Sequence, residues 1–351
     1  MQLLNKTLTD MGDLNQQIME EIRRHQDNLT KPQGSLGVLE DISIQIGGIT
    51  GATIPEVTKK AVVVMAGDHG VVAEGVSAFP PEVTPQMVLN FVHGGAAINV
   101  LSHHAGADVI VVDVGIAADM KNEKVLSMKV RPGTANMAQG PAMSEEEAVK
   151  ALEVGIKVAD DLVKKGYHLL ATGEMGIGNT TASSAIIAAF LGIPAREVTG
   201  RGTGLDQSGV SRKEQVIDQA IAINKPDPNI PLDVLAKVGG LEIAALAGLI
   251  LGAAANRIPI VIDGFISSTA ALVAAKIAPK SLNFMIASHC SAEMAHRKLL
   301  QYLNLKPILE LEMRLGEGTG AVLSFHIIEA ALKILKEMAT FESAGVSQQN
   351  E

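Results

Sequence analysis

The chain of 351 residues contains no tryptophan, a single cysteine and only 3% aromatic residues, so its core must be built from aliphatic side chains and methionine. With Cys290 alone, an intrachain disulfide and a cysteine-cluster metal site are both excluded, which agrees with a reducing compartment. Positive charge is also scarce. Lys and Arg number 29 against 38 Asp and Glu, a formal net charge of −9. No broad cationic face is available for a polyphosphate backbone, and a nucleic-acid partner is not expected. Long apolar runs are missing too: the longest uncharged one, Ile243 to Ala255, falls short of the roughly 20 residues of a membrane span and contains Gly248 and Gly252. It reads as a buried helix. The amino terminus shows no basic segment followed by a long apolar stretch, so the expected location is the cytoplasm, away from the membrane.

What is abundant is glycine, 34 residues in clusters between apolar runs. The length corresponds to about two ordinary domains of roughly 100–200 residues. From residue 61 onward, short runs rich in Val, Ile and Leu end in Gly, Asp, Glu or His: Ala61 to Gly70, Asp108 to Gly115, His168 to Glu174, Ile258 to Gly264 and Leu282 to His289. Continuous apolar runs separated by Ala-rich helical stretches indicate parallel strands covered on both faces, hence a doubly wound α/β sheet. Ligands of such sheets sit outside the carboxyl ends of the strands, where each of these runs turns polar. Residues 1 to about 50 and Phe325 to Phe341 carry helical spacing, and Lys31-Pro32-Gln33-Gly34-Ser35-Leu36-Gly37 must be a loop.

Gly173-Glu174-Met175-Gly176-Ile177-Gly178-Asn179-Thr180-Thr181 follows one of these strands and opens an Ala-rich helix. Glycines allow close backbone approach, and a helix start offers N–H groups and a favourable dipole to an anion. The spacing of Gly173 and Gly178 matches the triphosphate loop G-x-x-x-x-G-K-[ST], but Asn179 stands where that loop has its lysine. A single phosphate, as in a nucleoside monophosphate, is therefore the expected ligand; a plain strand-to-helix connection fits the same spacing. Gly200-Arg201-Gly202-Thr203-Gly204 forms a second glycine loop, and with Lys213 beyond it could add amides and a cation to the same phosphate.

Arg314-Leu315-Gly316-Glu317-Gly318-Thr319-Gly320 holds one carboxylate between glycines before an apolar helix. If Leu315 desolvates it, Glu317 gains proton affinity and suits a general base; a solvated loop glutamate is the alternative. Gly75 to Met87 gathers Phe79 and prolines 80, 81 and 85 in a chain poor in aromatics, and reads as a stiff apolar loop. With Phe79, Pro80, Gln86 and Met87 it could cover a flat heterocycle, as could ordinary packing. The pairs His103-His104 and His289 with His296 lack catalytic-zinc spacing, so neither metal nor cofactor is expected. Asp68-His69 ends a strand at the active edge, where it could order the site.

Taken together, these blocks, with Ala66 to Val71 and Asp263-Gly264-Phe265, closely resemble the nicotinate-nucleotide:dimethylbenzimidazole phosphoribosyltransferases of cobalamin lower-ligand assembly, from about residue 30 to 325. The resemblance implies a Rossmann-like parallel sheet in residues 56–324 and a small helical domain from both termini, 1–55 plus 325–351. It implies a homodimer acting on nicotinate mononucleotide and 5,6-dimethylbenzimidazole. It also implies that Glu317 is the general base and that Gly176, Gly178, Asn179 and Thr180 surround the phosphate. Gly202, Gly204 and Lys213 are expected to assist there. Phe79, Pro80, Gln86, Met87 and Leu315 would form the acceptor-base pocket, with Glu174 lending electrostatic support to a cationic sugar.

Overall fold

A computed structural model of the protein describes residues 1–202 and 204–347. Thr203 of the second glycine loop and the last four residues of the expected helical domain lie outside them.

Among the described residues six strands make one parallel sheet: β1 Lys60–Gly67, β2 Asp108–Gly115, β3 Val125–Ser127, β4 Leu169–Met175, β5 Ile260–Ile262 and β6 Met285–Ala287. Their order is β3-β2-β1-β4-β5-β6. The chain winds outward from β1 through β2 to β3, then returns to β4 and winds the other way, so the direction reverses between β1 and β4. At such a reversal the connections leave the sheet on opposite sides and open a crevice at the carboxyl ends of the strands.

Alternation along the strands sends side chains to two cores. Val62, Val64 and Ala66 of β1, with Val111, Ala171, Val261 and Ile286, pack against helices Val38–Thr50, Val83–His93, Ala97–Ala105 and Thr319–Glu337. Ala61, Val63 and Met65, with Val112, Leu170, Ile260 and Met285, face helices Glu145–Lys164, Asn179–Leu191, Leu241–Ala255 and Phe265–Ile277. The sheet is covered on both sides, as its apolar runs require. The uncharged run at 243–255 is indeed a buried helix, and Gly248 lets it touch its neighbour: a Cβ there would stand 1.9 Å from the Leu152 carbonyl.

Helices Gln2–Asp10, Gln16–Asn28 and Val38–Thr50 precede the sheet, and Ile22 and Ile44 pack on Leu335 near the end of helix Thr319–Glu337. That helix runs unbroken through residue 325. Residues 31–37 form the expected loop, anchored by a buried Lys31–Glu40 ion pair of 2.8 Å.

Three details differ from the sequence reading. The run from Leu282 yields a strand only at Met285, because Pro279–Phe284 winds into 3₁₀ turns. Strand β3 adds to the expected set; Val125–Ser127 is three residues long and buries only Val125, too little for an apolar run. Strand β4 continues through Gly173 to Met175, so the glycine loop begins at Gly176 and its apparent triphosphate-loop spacing begins inside a strand.

Candidate active site

A cavity of about 400 Å³ opens at the carboxyl ends of β4, β5 and β6. Its first wall is the glycine loop. Gly176 crosses so close to β1 that a Cβ would stand 2.4 Å from the Gly67 carbonyl, and no larger residue fits without moving a strand end. Gly178, at φ 94°, caps helix Asn179–Leu191 with no side chain in the way. The Thr84 hydroxyl accepts from the Ile177 N–H at 3.1 Å, tying this loop to helix Val83–His93. The start of helix Asn179–Leu191 thus faces the cavity with Asn179 and Thr180 in its wall, the arrangement that suits an anion.

Lys213, from helix Gln207–Asn224, reaches the same place from behind: its Nζ donates to the Thr180 hydroxyl at 2.7 Å. Burial lowers its ammonium to about 8, against the pull of Glu293. Gly202 lines the cavity, its carbonyl accepting from Arg314 Nη1 at 3.2 Å.

The second wall is the loop before helix Thr319–Glu337, where Gly316, Glu317 and Gly318 follow one another at φ 88°, 63° and 94°. A non-glycine residue in this region costs about 1 kcal/mol or more. Asp263, at the end of β5, fixes the turn: its carboxylate accepts from the N–H groups of Gly318, Gly320 and Ala321 at 3.1, 2.8 and 3.0 Å. Glu317 is held with 6% exposure, and its Oε2 accepts from the Ile98 N–H at 3.3 Å. Burial raises its carboxyl above the usual range; the Ile98 N–H opposes this and the charge of Asp263 adds to it.

Glu174, at the end of β4, has the same 6% exposure and sits against both loops. Its Oε1 accepts from the Glu317 N–H at 3.4 Å, and its Oε2 accepts from the Asn179 side chain. Burial first, then Asp263 and Glu242, push its carboxyl up to about 8. Two carboxyl groups, one from the end of β4 and one from the loop before helix Thr319–Glu337, therefore share one cavity with proton affinities raised above the ordinary carboxylate range, as proton-transfer chemistry needs.

Of the residues expected from sequence, the structure gathers Glu174, Gly176, Asn179, Thr180, Gly202, Phe79, Met87, Leu315 and Glu317 in the cavity wall. Gly178 and Lys213 stand behind it. Gly204, Pro80 and Gln86 are exposed and outside it; from Val83 onward the expected stiff loop is a helix, which places Met87 in the wall and leaves Gln86 exposed. The expected cause of the Glu317 burial also needs correction. Leu315 is 58% exposed at the cavity mouth and offers the carboxyl little cover, while the Ile98 N–H at the start of helix Ala97–Ala105 donates to it.

Val83, Phe265, His289, Ser291, Glu293 and Arg314 also line the cavity. The rule that apolar runs turn polar at the active rim reaches His289, Ser291 and Glu293, which follow β6. His296 stands behind Ser291, its Nδ1 accepting from the Ser291 N–H at 2.7 Å, so its Nε2 carries the proton and donates to the Ser268 hydroxyl at 2.8 Å. Burial, with His289 nearby, drops its pKa to about 3. It is a neutral strut, unable to deprotonate Ser268. Among the described residues no three His, Cys, Asp or Glu side chains converge as a metal site, and no helix is long and apolar enough to cross a membrane.

A doubly wound sheet with a glycine-capped helix start and paired buried carboxyls at its switch point defines an α/β enzyme of small phosphorylated substrates, and comparison specifies the class. A family model described as phosphoribosyltransferase matches residues 11–346. The chain is 58% identical over 352 residues to the nicotinate-nucleotide–dimethylbenzimidazole phosphoribosyltransferase of Chloroflexus aggregans, covering all of both chains. To that of Desulforamulus reducens it is 55% identical over 350 residues, 99% of this chain and 100% of the relative. The crystal structure of CobT from Thermus thermophilus matches with a TM-score of 0.91 at 48% identity, over 95% of this chain and 100% of that one. The chain belongs to the nicotinate-nucleotide–dimethylbenzimidazole phosphoribosyltransferase family.

Proposed function

We propose that the protein transfers the 5-phosphoribosyl group of nicotinate mononucleotide to 5,6-dimethylbenzimidazole, releasing nicotinate and α-ribazole 5′-phosphate for the lower ligand of cobalamin. The observation that carries this reading is the pair of buried carboxyls, Glu174 and Glu317, facing one cavity beside a helix start suited to a phosphate. Gly176, Gly178, Asn179 and Thr180, backed by Lys213 and Gly202, take the phosphate. Phe79, Met87 and Leu315 cover the flat acceptor, with Pro80 and Gln86 at the rim.

The chemistry follows from the charges. The ring nitrogen of the nucleotide is a pyridinium, so when its bond to C1′ breaks the electron pair returns to nitrogen and the ring leaves neutral at that atom. One acceptor nitrogen forms the new C1′–N bond from the opposite face, which converts a β-nucleotide into an α-product. Positive charge then grows on the acceptor, and Glu317 removes the proton from its other nitrogen. Burial by itself keeps a proton on Glu174; a cationic sugar nearby favours its ionised form, which then stabilises the oxocarbenium-like transition state.

We further propose a cytoplasmic homodimer in which residues 1–55 and 325–351 form a helical unit joined to 56–324 through the unbroken helix Thr319–Glu337. One variation keeps the same site and transfer but takes another flat ring as acceptor, such as adenine, a different benzimidazole or a phenol.

The test is incubation of purified protein with nicotinate mononucleotide and 5,6-dimethylbenzimidazole, without added metal, followed by chromatography with mass detection. Equal amounts of nicotinate and the new nucleotide are expected. Release that appears only with adenine or a phenol would move the acceptor, and nucleotide binding without any nicotinate release would replace the enzyme with a binding module.

A further inference from the structure

Directly behind the glycine loop, where β1 and β4 part, lies an ion pair the reaction above does not use. His69 follows the end of β1, and Glu242 sits in the first turn of helix Leu241–Ala255. His69 Nε2 stands 2.6 Å from Glu242 Oε1, with side-chain exposures of 1% and 0%. Glu242 Oε2 is buried without a hydrogen-bond partner, so the imidazole is the group that satisfies this carboxylate. Glycines wall the pair in. A Cβ on Gly240 would meet His69 Cε1 at 2.5 Å, one on Gly176 would stand 3.4 Å from His69 Nε2, and one on Gly178 would stand 3.3 Å from His69 Cβ. The ring therefore lies immediately beneath the two glycines of the loop that carries no cationic side chain of its own.

We propose that His69, held as an imidazolium by Glu242, is a positioning residue of the nucleotide site: a buried positive charge under the Gly176–Gly178 loop that supplies the compensation a lysine gives in triphosphate loops. Glu242 stands in the first turn of its helix, and its Oε1 is the atom that meets the ring. Although burial opposes the charged ring, Glu242 and then Asp68 outweigh it and raise the imidazole above its ordinary value. The charged groups facing His69 are thus Glu242 from the helix and Asp68 from its own strand end, while Glu174 on β4 in turn feels Glu242. Neither residue touches the acceptor side of the cavity. This inference rests on the reading of the glycine loop as the phosphate site.

The test compares wild type, His69→Gln and Glu242→Gln by calorimetric titration with nicotinate mononucleotide and by steady-state kinetics, after circular dichroism and thermal melts confirm folding. His69→Gln is expected to raise the nucleotide KM by about tenfold, the effect of one lost neighbouring charge, with the acceptor KM unchanged. Glu242→Gln is the sharper probe. Freed of its partner, His69 keeps the burial that disfavours its charged form and should lose its proton at lower pH than in wild type. The variant should then bind nucleotide more weakly than a wild type measured alongside at pH 8, and the gap should narrow as the pH is lowered and the ring regains its proton. A merely structural pair would weaken binding equally at every pH, and that result would overturn the proposal. So would unchanged nucleotide KM in a folded His69→Gln. A wild type that binds no nucleotide would instead overturn the phosphate reading, and this proposal with it.

Discussion

Replacing Glu317 by Gln isolates the proton step. The substitution preserves size, keeps an acceptor for the Ile98 N–H and leaves the turn at φ 63° with a residue of the same shape. What disappears is the group placed to take the acceptor proton. Loss of a general base lowers kcat by about 10²–10⁴, or roughly 3–5 kcal/mol of transition-state stabilisation. The nucleotide KM should not move, because the phosphate wall is on the other loop. Stability gives an independent check. Burial raises this carboxyl above its ordinary 4.5 in the folded protein. The unfolded chain therefore loses the proton first, and native stability declines as pH rises from 4.5 through the raised value. The variant lacks that decline and should be no less stable than wild type at about pH 7. Single-turnover measurements of nicotinate release between about pH 5 and 9, paired with urea unfolding, test both parts. The acid limb of the wild-type profile due to Glu317 should vanish in the variant. Near-normal turnover, or an unchanged acid limb, would refute the assignment.

Gly316→Ala places a Cβ 2.2 Å from Glu174 Oε1 at φ 88°, and should lower kcat by about tenfold beside a strain cost of roughly 1–2 kcal/mol. Gly34→Ala, at φ 70° with open space around it, is the control that should show a strain cost with no kinetic effect, both read by urea unfolding and kinetics. Lys213→Met should weaken nucleotide binding about 10- to 100-fold at pH 7, the scale of a charge-assisted hydrogen bond. In wild type, affinity should fall above pH 8 as the ammonium loses its proton; because that value lies below the ordinary 10.5, the cost of burying the charge is present below pH 8 and relieved between 8 and 10.5. His296→Ala should cost about 2–4 kcal/mol through a cavity and an orphaned Ser291 N–H. With a native pKa near 3 against an ordinary 6.5, His296 makes wild-type stability fall as pH drops from 6.5 toward 3. That slope should flatten in the variant, as followed by urea unfolding across pH.

The sheet is legible in the sequence where strands are buried on both faces, because β1 and β4 leave uninterrupted apolar runs. Val125–Ser127 is not, since a short edge strand with one buried residue has no pattern distinguishing it from a loop. In the site, glycines mark both loops, for a glycine that must approach a backbone or adopt positive φ is visible as a cluster. The partners that set proton affinities leave no such mark: the Ile98 N–H donates to Glu317 from 219 residues away and Glu242 meets His69 from 173 residues away. Such encounters follow from the winding order of the sheet. Leu315 shows the opposite error, in which a neighbour in sequence is credited with burial although its own side chain is 58% exposed.

The parallel sheet has a second rim, where its strands begin. There the turns before β2 and β4 carry Gly106 and Gly166, around which a Cβ would meet nothing within 4 Å. Because every strand points the same way, the cavity and these turns lie at opposite ends of the sheet. An inserted peptide, fluorophore or surface tether at Gly106 or Gly166 would report on or immobilise the molecule from the side farthest from its chemistry.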